Sequence, residues 1–178
     1  MKQLSLPNLG LTIVTPSGWL AECAKRSSLL SDLRVEVIPY SLNTDIFKPI
    51  GKLTARNILN LSKNKRIILF GAISTTTNKL KGFQYLKEAI SKLEKMKTFD
   101  KGRLCLVIFG ASHSRDIEKI PFEVKFLGRL YDDFSLALSY SAADIFIIPS
   151  LQDNLPNTVI ESLSCGTPVV GFSIWRDI

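Results

Sequence analysis

An α/β protein, an open parallel sheet with helices on both faces, is what this 178-residue sequence predicts. Three observations carry that reading. Short apolar runs recur at 67–70, 104–109, 124–127, 145–148 and 169–170, with stretches of helical periodicity between them. Several runs, such as Ile67-Ile68-Leu69-Phe70, are apolar throughout rather than alternating, which is how strands covered on both faces read. The composition, 46% hydrophobic, 22% charged and 9% aromatic, is that of a globular domain and excludes a disordered or fibrous chain. The length suits one domain of about 150 residues with an appendage.

The segments between the runs carry helix signals. In 82–96, Phe83, Leu86, Ala89, Ile90, Leu93 and Met96 share one face, and Lys87, Lys92 and Lys95 lie off it as a solvated face. A second helix is expected over 133–142 with Asp132 or Asp133 as its N-cap. A third covers 157–164, closed by Gly166 and followed by Pro168. The alternation of strand and helix from Ile67 onward predicts right-handed crossovers. The first sixty residues read differently. A strand is expected at 11–14, a helix around 19–30, a strand at 35–38, an irregular stretch at 39–49 and a helix around 52–61, with no repeating βαβ register.

Lys and Arg total 23 against 16 Asp and Glu, a net charge of +7. Residues 1–100 hold 16 basic and 7 acidic side chains, and residues 101–178 hold 7 and 9. A basic surface draws nucleic acid, acidic lipid or phosphorylated small molecules, and charge alone does not choose among them. The start, Met1 to Pro7, has no apolar core of signal-peptide length, and every apolar run falls far below the ~18 residues of a membrane span. Cys23, Cys105 and Cys165 are odd in number and form no CxxC pair, which argues against zinc and disulfide scaffolds. A cytoplasmic protein is expected. No GxGxxG follows a strand and no GxxxxGK[ST] occurs, which argues against a dinucleotide oxidoreductase and a P-loop NTPase.

In an open parallel sheet, ligands bind at the carboxyl ends of the strands. Three expected strands run directly into Gly71, Gly110 and Gly128, which suits close approach of a ligand to the backbone and equally suits plain turns. Ile145–Ile148 leads into Pro149-Ser150-Leu151-Gln152-Asp153-Asn154-Leu155-Pro156-Asn157. With a helix starting near Asn157, Asp153 precedes its start and Glu161 lies about one turn inside, so both carboxylates are expected at one mouth of the sheet. The free N–H groups of the helix start suit phosphate or a sugar hydroxyl, and carboxylates suit sugar or ribose hydroxyls. The same spacing also fits a cap residue and a surface acid.

The stretch Asp144 to Val170, with its close Cys165-Gly166-Thr167-Pro168-Val169-Val170, resembles the donor-site signature of retaining glycosyltransferases of family 4, the group 1 glycosyl transferases. Ile38-Pro39 to Lys48-Pro49 is similar to that family's interdomain segment, and Lys81-Gly82-Phe83 to its phosphate-side lysine motif. Val107 to Gly110 and Val124 to Gly128 resemble its second and third nucleotide-domain strands, and Leu11 to Ser17 resembles the last strand of its N-terminal domain. The resemblance implies the C-terminal, Rossmann-like half of a GT-B fold. Residues 1–50 would be the end of an N-terminal domain and the linker, and 51–178 a nucleotide-sugar-binding domain truncated at its C-terminus.

The same resemblance implies roles. Glu161 would accept from the ribose hydroxyls of a nucleotide diphosphate sugar, Asp153 would face the donor sugar, and Lys81 would neutralise the departing diphosphate. The amides of Asn154, Leu155 and Asn157 would bind sugar or phosphate oxygens. Arg129 and Leu130 would lie beside the base, and Gly71 beside the donor. Two positions depart from the family pattern: Asp153 stands where Glu is usual, and Ala72 where an Arg often contacts the diphosphate, leaving Lys79 as one candidate for the compensating cation. His113 reads as a loop residue rather than a base. No Asp-x-Asp motif is present, so no metal and no cofactor beyond the donor substrate are expected. The implied partners are the donor, a glycan or lipid-linked acceptor and an N-terminal domain, with peripheral contact at the inner face of a membrane as an option. This chain alone is expected to bind donor without transferring sugar. The rival reading is a non-catalytic nucleotide-sugar or nucleic-acid binding module. Nucleic acid would require aromatics interleaved with basic residues on one face, and Phe83 instead belongs to the apolar stripe.

Overall fold

The computed structural model describes residues 10–71, 79–96, 100–110 and 120–173. They fall into two units, the first formed by residues 10–41, 153–157 and 173, the second by the described residues of 42–152 and 158–172.

In the first unit, β1 (Thr12–Thr15), α1 (Gly18–Lys25) and β2 (Arg34–Val37) follow one another. β1 and β2 pair in parallel, with Ile13 opposite Val35 and Val14 opposite Glu36. The strand, helix and strand expected here therefore form one βαβ unit, each strand within one residue of its expected place, although no repeating βαβ register was expected. Each strand is four residues long and half polar (Thr12, Thr15, Arg34, Glu36), so its periodicity is thin. The helix starts at Ser17, whose hydroxyl accepts from the Leu20 amide at 3.2 Å, the bond expected of an N-cap serine. It ends earlier than the 19–30 pattern suggests, because the Ser27 amide turns back onto the Ala24 carbonyl at 3.0 Å.

The second unit contains α2 (Lys52–Ile58), β3 (Arg66–Gly71), α3 (Phe83–Glu94), β4 (Leu104–Phe109), β5 (Glu123–Gly128), α4 (Asp133–Ala142), β6 (Ile145–Ile148), all of α5 (Asn157–Ser164) beyond Asn157, and β7 (Val169–Gly171). The strands form one sheet in the order β5-β4-β3-β6-β7, and every pairing is parallel. The chain thus builds outward from β3 to β5 and then returns to the other side of β3, which makes the gap between β3 and β6 the switch point of the sheet.

The sheet is covered on both faces. Ile68, Phe70, Leu106 and Ile108 pack against Phe83, Leu86 and Ile90 of α3, and the Phe70 and Phe83 rings stack at 5.5 Å. On the other face, Tyr140 of α4 meets Phe109 and Phe146 edge-on, at 6.0 and 5.4 Å between centroids. Side chains of this size each contribute about 1.5–3 kcal/mol when fully buried, so the central strands dominate the unit's stability. Ala89 and Met96, expected on the apolar stripe of α3, are exposed. The helix ends at Glu94, and Phe83, Leu86 and Ile90 already span the sheet. β5, at the edge, is half-buried throughout. Residues 42–50 pack onto this unit: the Ser164 hydroxyl donates to the Phe47 carbonyl at 2.5 Å, and Phe47 is buried. Cys105 and Cys165 are buried free thiols, each pushed up to about 11 chiefly by burial, as small hydrophobes would be.

The amino ends of the strands are tied by ions. Arg56 of α2, buried, donates from Nε to the Ala142 carbonyl (2.9 Å) and from Nη1 to the Lys63 and Lys65 carbonyls (3.1 Å each). Its Nη2 donates to Asp144 Oδ2 (2.8 Å). Asp144 also accepts from the Ile67 amide (2.7 Å) and from Lys52 Nζ (2.9 Å).

Candidate functional site

Ligands of doubly wound sheets bind outside the carboxyl ends of the strands at the switch point, here β3 and β6. The chain after β3 returns through a 3₁₀ turn, Lys79–Lys81. The Leu80 carbonyl accepts from the Leu151 amide at 2.9 Å. Gly82, buried and left-handed at φ 70°, lies so close to the loop after β6 that a Cβ there would sit 1.7 Å from the Pro149 carbonyl oxygen. Two backbone contacts therefore fix the half-buried Lys81 at the end of β6. At the neighbouring strand ends, the Gly110 amide donates to the Gly128 carbonyl at 2.7 Å. Gly71 has a packing reason to be glycine, since a Cβ would meet the Phe109 ring at 2.0 Å. Arg129 is exposed and lays its guanidinium 5.3 Å from the centroid of the Tyr131 ring, itself 83% exposed. Leu130 between them is half-buried.

Glu161, on the second turn of α5, is half-buried. Its Oε2 accepts from the Tyr140 hydroxyl at 2.8 Å. Burial raises the Glu161 pKa above the ordinary carboxylate value, the Tyr140 bond draws it back down, and the charge of Asp133 adds to the rise. Tyr140 is fully buried, and burial followed by the Glu161 charge pushes its phenol far above the ordinary range, so its hydroxyl remains a donor. The Tyr140 carbonyl accepts from Thr167 Oγ1 at 2.7 Å, and the Ser162 hydroxyl donates to the Thr167 carbonyl at 3.0 Å. The Cys165-Gly166-Thr167 close thus binds the end of α5 to α4. Tyr140 is the site residue that sequence reasoning misses. Its one signal is a phenol that follows a run of Ser, Leu and Ala in the helix.

Within the first unit, Asp153 Oδ1 accepts from the Asn154 amide at 3.0 Å, and Asn154 Oδ1 accepts from the Ser17 hydroxyl at 2.5 Å across 137 residues of sequence. The Asn154 amide, expected to face the donor, is engaged by Asp153 here. Leu155 is half-buried, and Asn157 is exposed at the first position of α5. The structure brings Lys81, Gly71, Arg129, Leu130 and Glu161 into the second unit, and Asp153, Asn154, Leu155 and Asn157 into the first. Ala72, His113 and the side chain of Lys79 lie outside the described residues. Among the described residues no group of three or more His, Cys, Asp or Glu could hold a metal ion, and no helix is long and apolar enough to cross a membrane.

Residues 64–177, which include β3 to β7 and Glu161, match the family described as glycosyl transferases group 1. The chain belongs to this family. The group 1 domain is 30% identical over 152 residues to a D-inositol 3-phosphate glycosyltransferase of Segniliparus rotundus, covering 79% of this chain and 32% of that protein. The chain spans about a third of the length of the curated relatives it matches. Among solved structures it is similar to the sucrose-phosphate synthase of Thermosynechococcus elongatus, with a TM-score of 0.73 and 25% identity over 92% of this chain and 41% of that one. It also superposes on Anabaena HepE, solved in complex with UDP and glucose, with a TM-score of 0.60 and 16% identity over 90% and 44%. The fold is that of the GT-B glycosyltransferases, a parallel α/β sheet flanked by helices, as the signature resemblance implied.

Proposed function

We propose that this group 1 glycosyltransferase chain binds the nucleotide diphosphate sugar from which a sugar is moved, with retained anomeric configuration, to an acceptor hydroxyl in polysaccharide or glycan biosynthesis. The observation that carries the reading is the switch point between β3 and β6, where the loop bearing Lys81 is joined by backbone to the loop after β6. Two things add support: the UDP and glucose held by HepE, and a half-buried carboxylate, Glu161, on the helix that follows β6 in the chain.

In this reading Lys81 neutralises the diphosphate as it departs, and a positioned cation in a site poor in water is worth far more there than in solution. Glu161 accepts from the ribose hydroxyls. Asp153 faces the donor sugar, one methylene shorter than the usual Glu. The amides of Leu155 and Asn157, with that of Asn154 once released from Asp153, bind donor oxygens. Arg129 and Leu130 flank the base. The acceptor, glycan or lipid-linked, is held by an N-terminal domain of the whole protein, at the cytoplasmic side of a membrane surface.

Calorimetric titration with uridine, adenosine and guanosine diphosphates tests this. A hydrogen bond to a charged group is worth about 1.5–3 kcal/mol, so Glu161→Ala and Lys81→Ala are each expected to weaken the best of these ligands roughly tenfold or more. Unchanged affinity in both variants places the site elsewhere, and tight binding of single-stranded DNA without diphosphate competition overturns the reading. Since the sequence offers no Asp-x-Asp pair to hold a metal on the diphosphate, a chelator is expected to leave the affinity unaltered. Loss of binding with chelator, restored by magnesium or manganese, contradicts that expectation.

A further inference from the structure

We infer that Tyr140 is a positioning residue for the donor, its hydroxyl holding the Glu161 carboxylate in the orientation that accepts from the ribose. The inference rests on the reading of Glu161 given above and adds the group that aims it. A glutamate on a helix has three rotatable bonds, and a carboxylate at a site mouth loses affinity for every orientation it samples that does not face the ligand. Tyr140 removes that freedom from outside the helix. Its hydroxyl donates to Oε2 at 2.8 Å from a residue 21 positions away. The donor is itself immobile: the ring is fully buried, Phe109 and Phe146 close on it edge-on, and its backbone carbonyl is held by Thr167 Oγ1. An ionised carboxylate offers about four acceptor positions, so the bond to Tyr140 leaves capacity for the two ribose hydroxyls. The Tyr140 bond also draws the Glu161 pKa down against the rise that burial causes. The titratable groups acting on this carboxylate are Tyr140 and Asp133 on α4, and Cys165, just past the end of α5, is coupled to it.

Tyr140→Phe deletes the hydroxyl and keeps the ring between Phe109 and Phe146. Calorimetry on the whole chain should show roughly tenfold weaker binding of the best nucleoside diphosphate, in line with the loss of one hydrogen bond to a charged group. With the 2′,3′-dideoxy form of the same ligand the variant and the parent should bind alike. In a Glu161→Ala background the second substitution should add nothing. The acid limb of the binding profile should move to higher pH, because the ionised carboxylate loses a donor, and carbon NMR of the Glu161 carboxyl should titrate upward in step. A purely structural role of Tyr140 would weaken the dideoxy ligand equally, weaken binding in the Glu161→Ala background and leave the acid limb in place. Any of these results overturns the inference. If Glu161→Ala weakens binding and Tyr140→Phe does not, the positioning role alone falls. If Glu161→Ala has no effect, the donor-site reading falls and takes this inference with it.

Discussion

Asp144→Ala is expected to lower the stability of the domain by about 3–5 kcal/mol, the usual result of removing one partner from a buried ion pair. The size of the effect comes from Arg56, not from the carboxylate's own attractions. The Arg56 side chain is 5% exposed and Asp144 is 20% exposed, so deleting the acid leaves a guanidinium charge in the interior, and burying an unpaired charge is costly. Lys52, 46% exposed on the same carboxylate, and Arg66, 73% exposed at 3.9 Å, make pairs of the surface kind that contribute about 0–1 kcal/mol. The Ile67 amide, near the start of the central strand, also loses its acceptor. The pH dependence follows. Burial alone would raise the Asp144 pKa, but the Ile67 amide, Lys52 and Arg56 together hold it below the ordinary carboxylate value. A group whose pKa is lower in the folded state stabilises above its unfolded pKa, and that contribution fades as the pH falls through the folded one. The parent should therefore lose stability in the acid range below about pH 4, and the variant should show a lower urea midpoint at neutral pH with a flatter acid limb. An unchanged midpoint would mean that Arg56 finds other partners and that the network is ornamental.

The central sheet was readable because β3 and β4 are apolar on both faces, a pattern that only a strand covered on both sides requires. α4 and α5 were readable because their ends carry chemistry: Asp132 accepts from the Ser135 amide at 2.8 Å, and Gly166 follows Ser164 in a left-handed turn. The strands β1 and β2 were readable to within one residue, at 11–14 and 35–38, but their parallel pairing was not, since strands of four residues that are half polar give no sign of which neighbour they meet. Helix ends were overrun at 26–30 and at 95–96, where the periodic pattern continues past the point at which neighbouring packing stops. In the candidate site, Glu161 and Lys81 could each be named from a motif whose own residues are contiguous in sequence. The partner of Glu161 could not, because a tyrosine among Ala, Leu and Ser reads as core. Only the folding of α4 beside α5 reveals that its hydroxyl is aimed at a carboxylate 21 residues away.

Gly82→Ala is expected to cost about 2–5 kcal/mol and to weaken diphosphate binding along with it. Two causes add. The residue sits at φ 70°, where an L side chain costs about 1–2 kcal/mol. Its new Cβ would also lie 1.7 Å from the Pro149 carbonyl oxygen and 2.6 Å from the carbonyl carbon, and forcing extra atoms into a packed region costs about 1–3 kcal/mol. The obstacle is backbone, so no side-chain rotation relieves it. Either α3 starts from a displaced position or the loop after β6 moves, and both open the Leu80–Leu151 bond that sets Lys81 against the end of that strand. Gly128→Ala separates the two causes. Gly128 has nearly the same φ, 69°, but nothing lies within 4 Å of its would-be Cβ, so that variant carries the conformational strain alone. Urea denaturation of the two variants should place Gly82→Ala well below Gly128→Ala, and only the first should lose affinity for a nucleoside diphosphate beyond a fewfold change. Equal losses of stability in the two would show that the loop after β6 yields without resistance, and that the join between the Lys81 loop and β6 does not hold the site in shape.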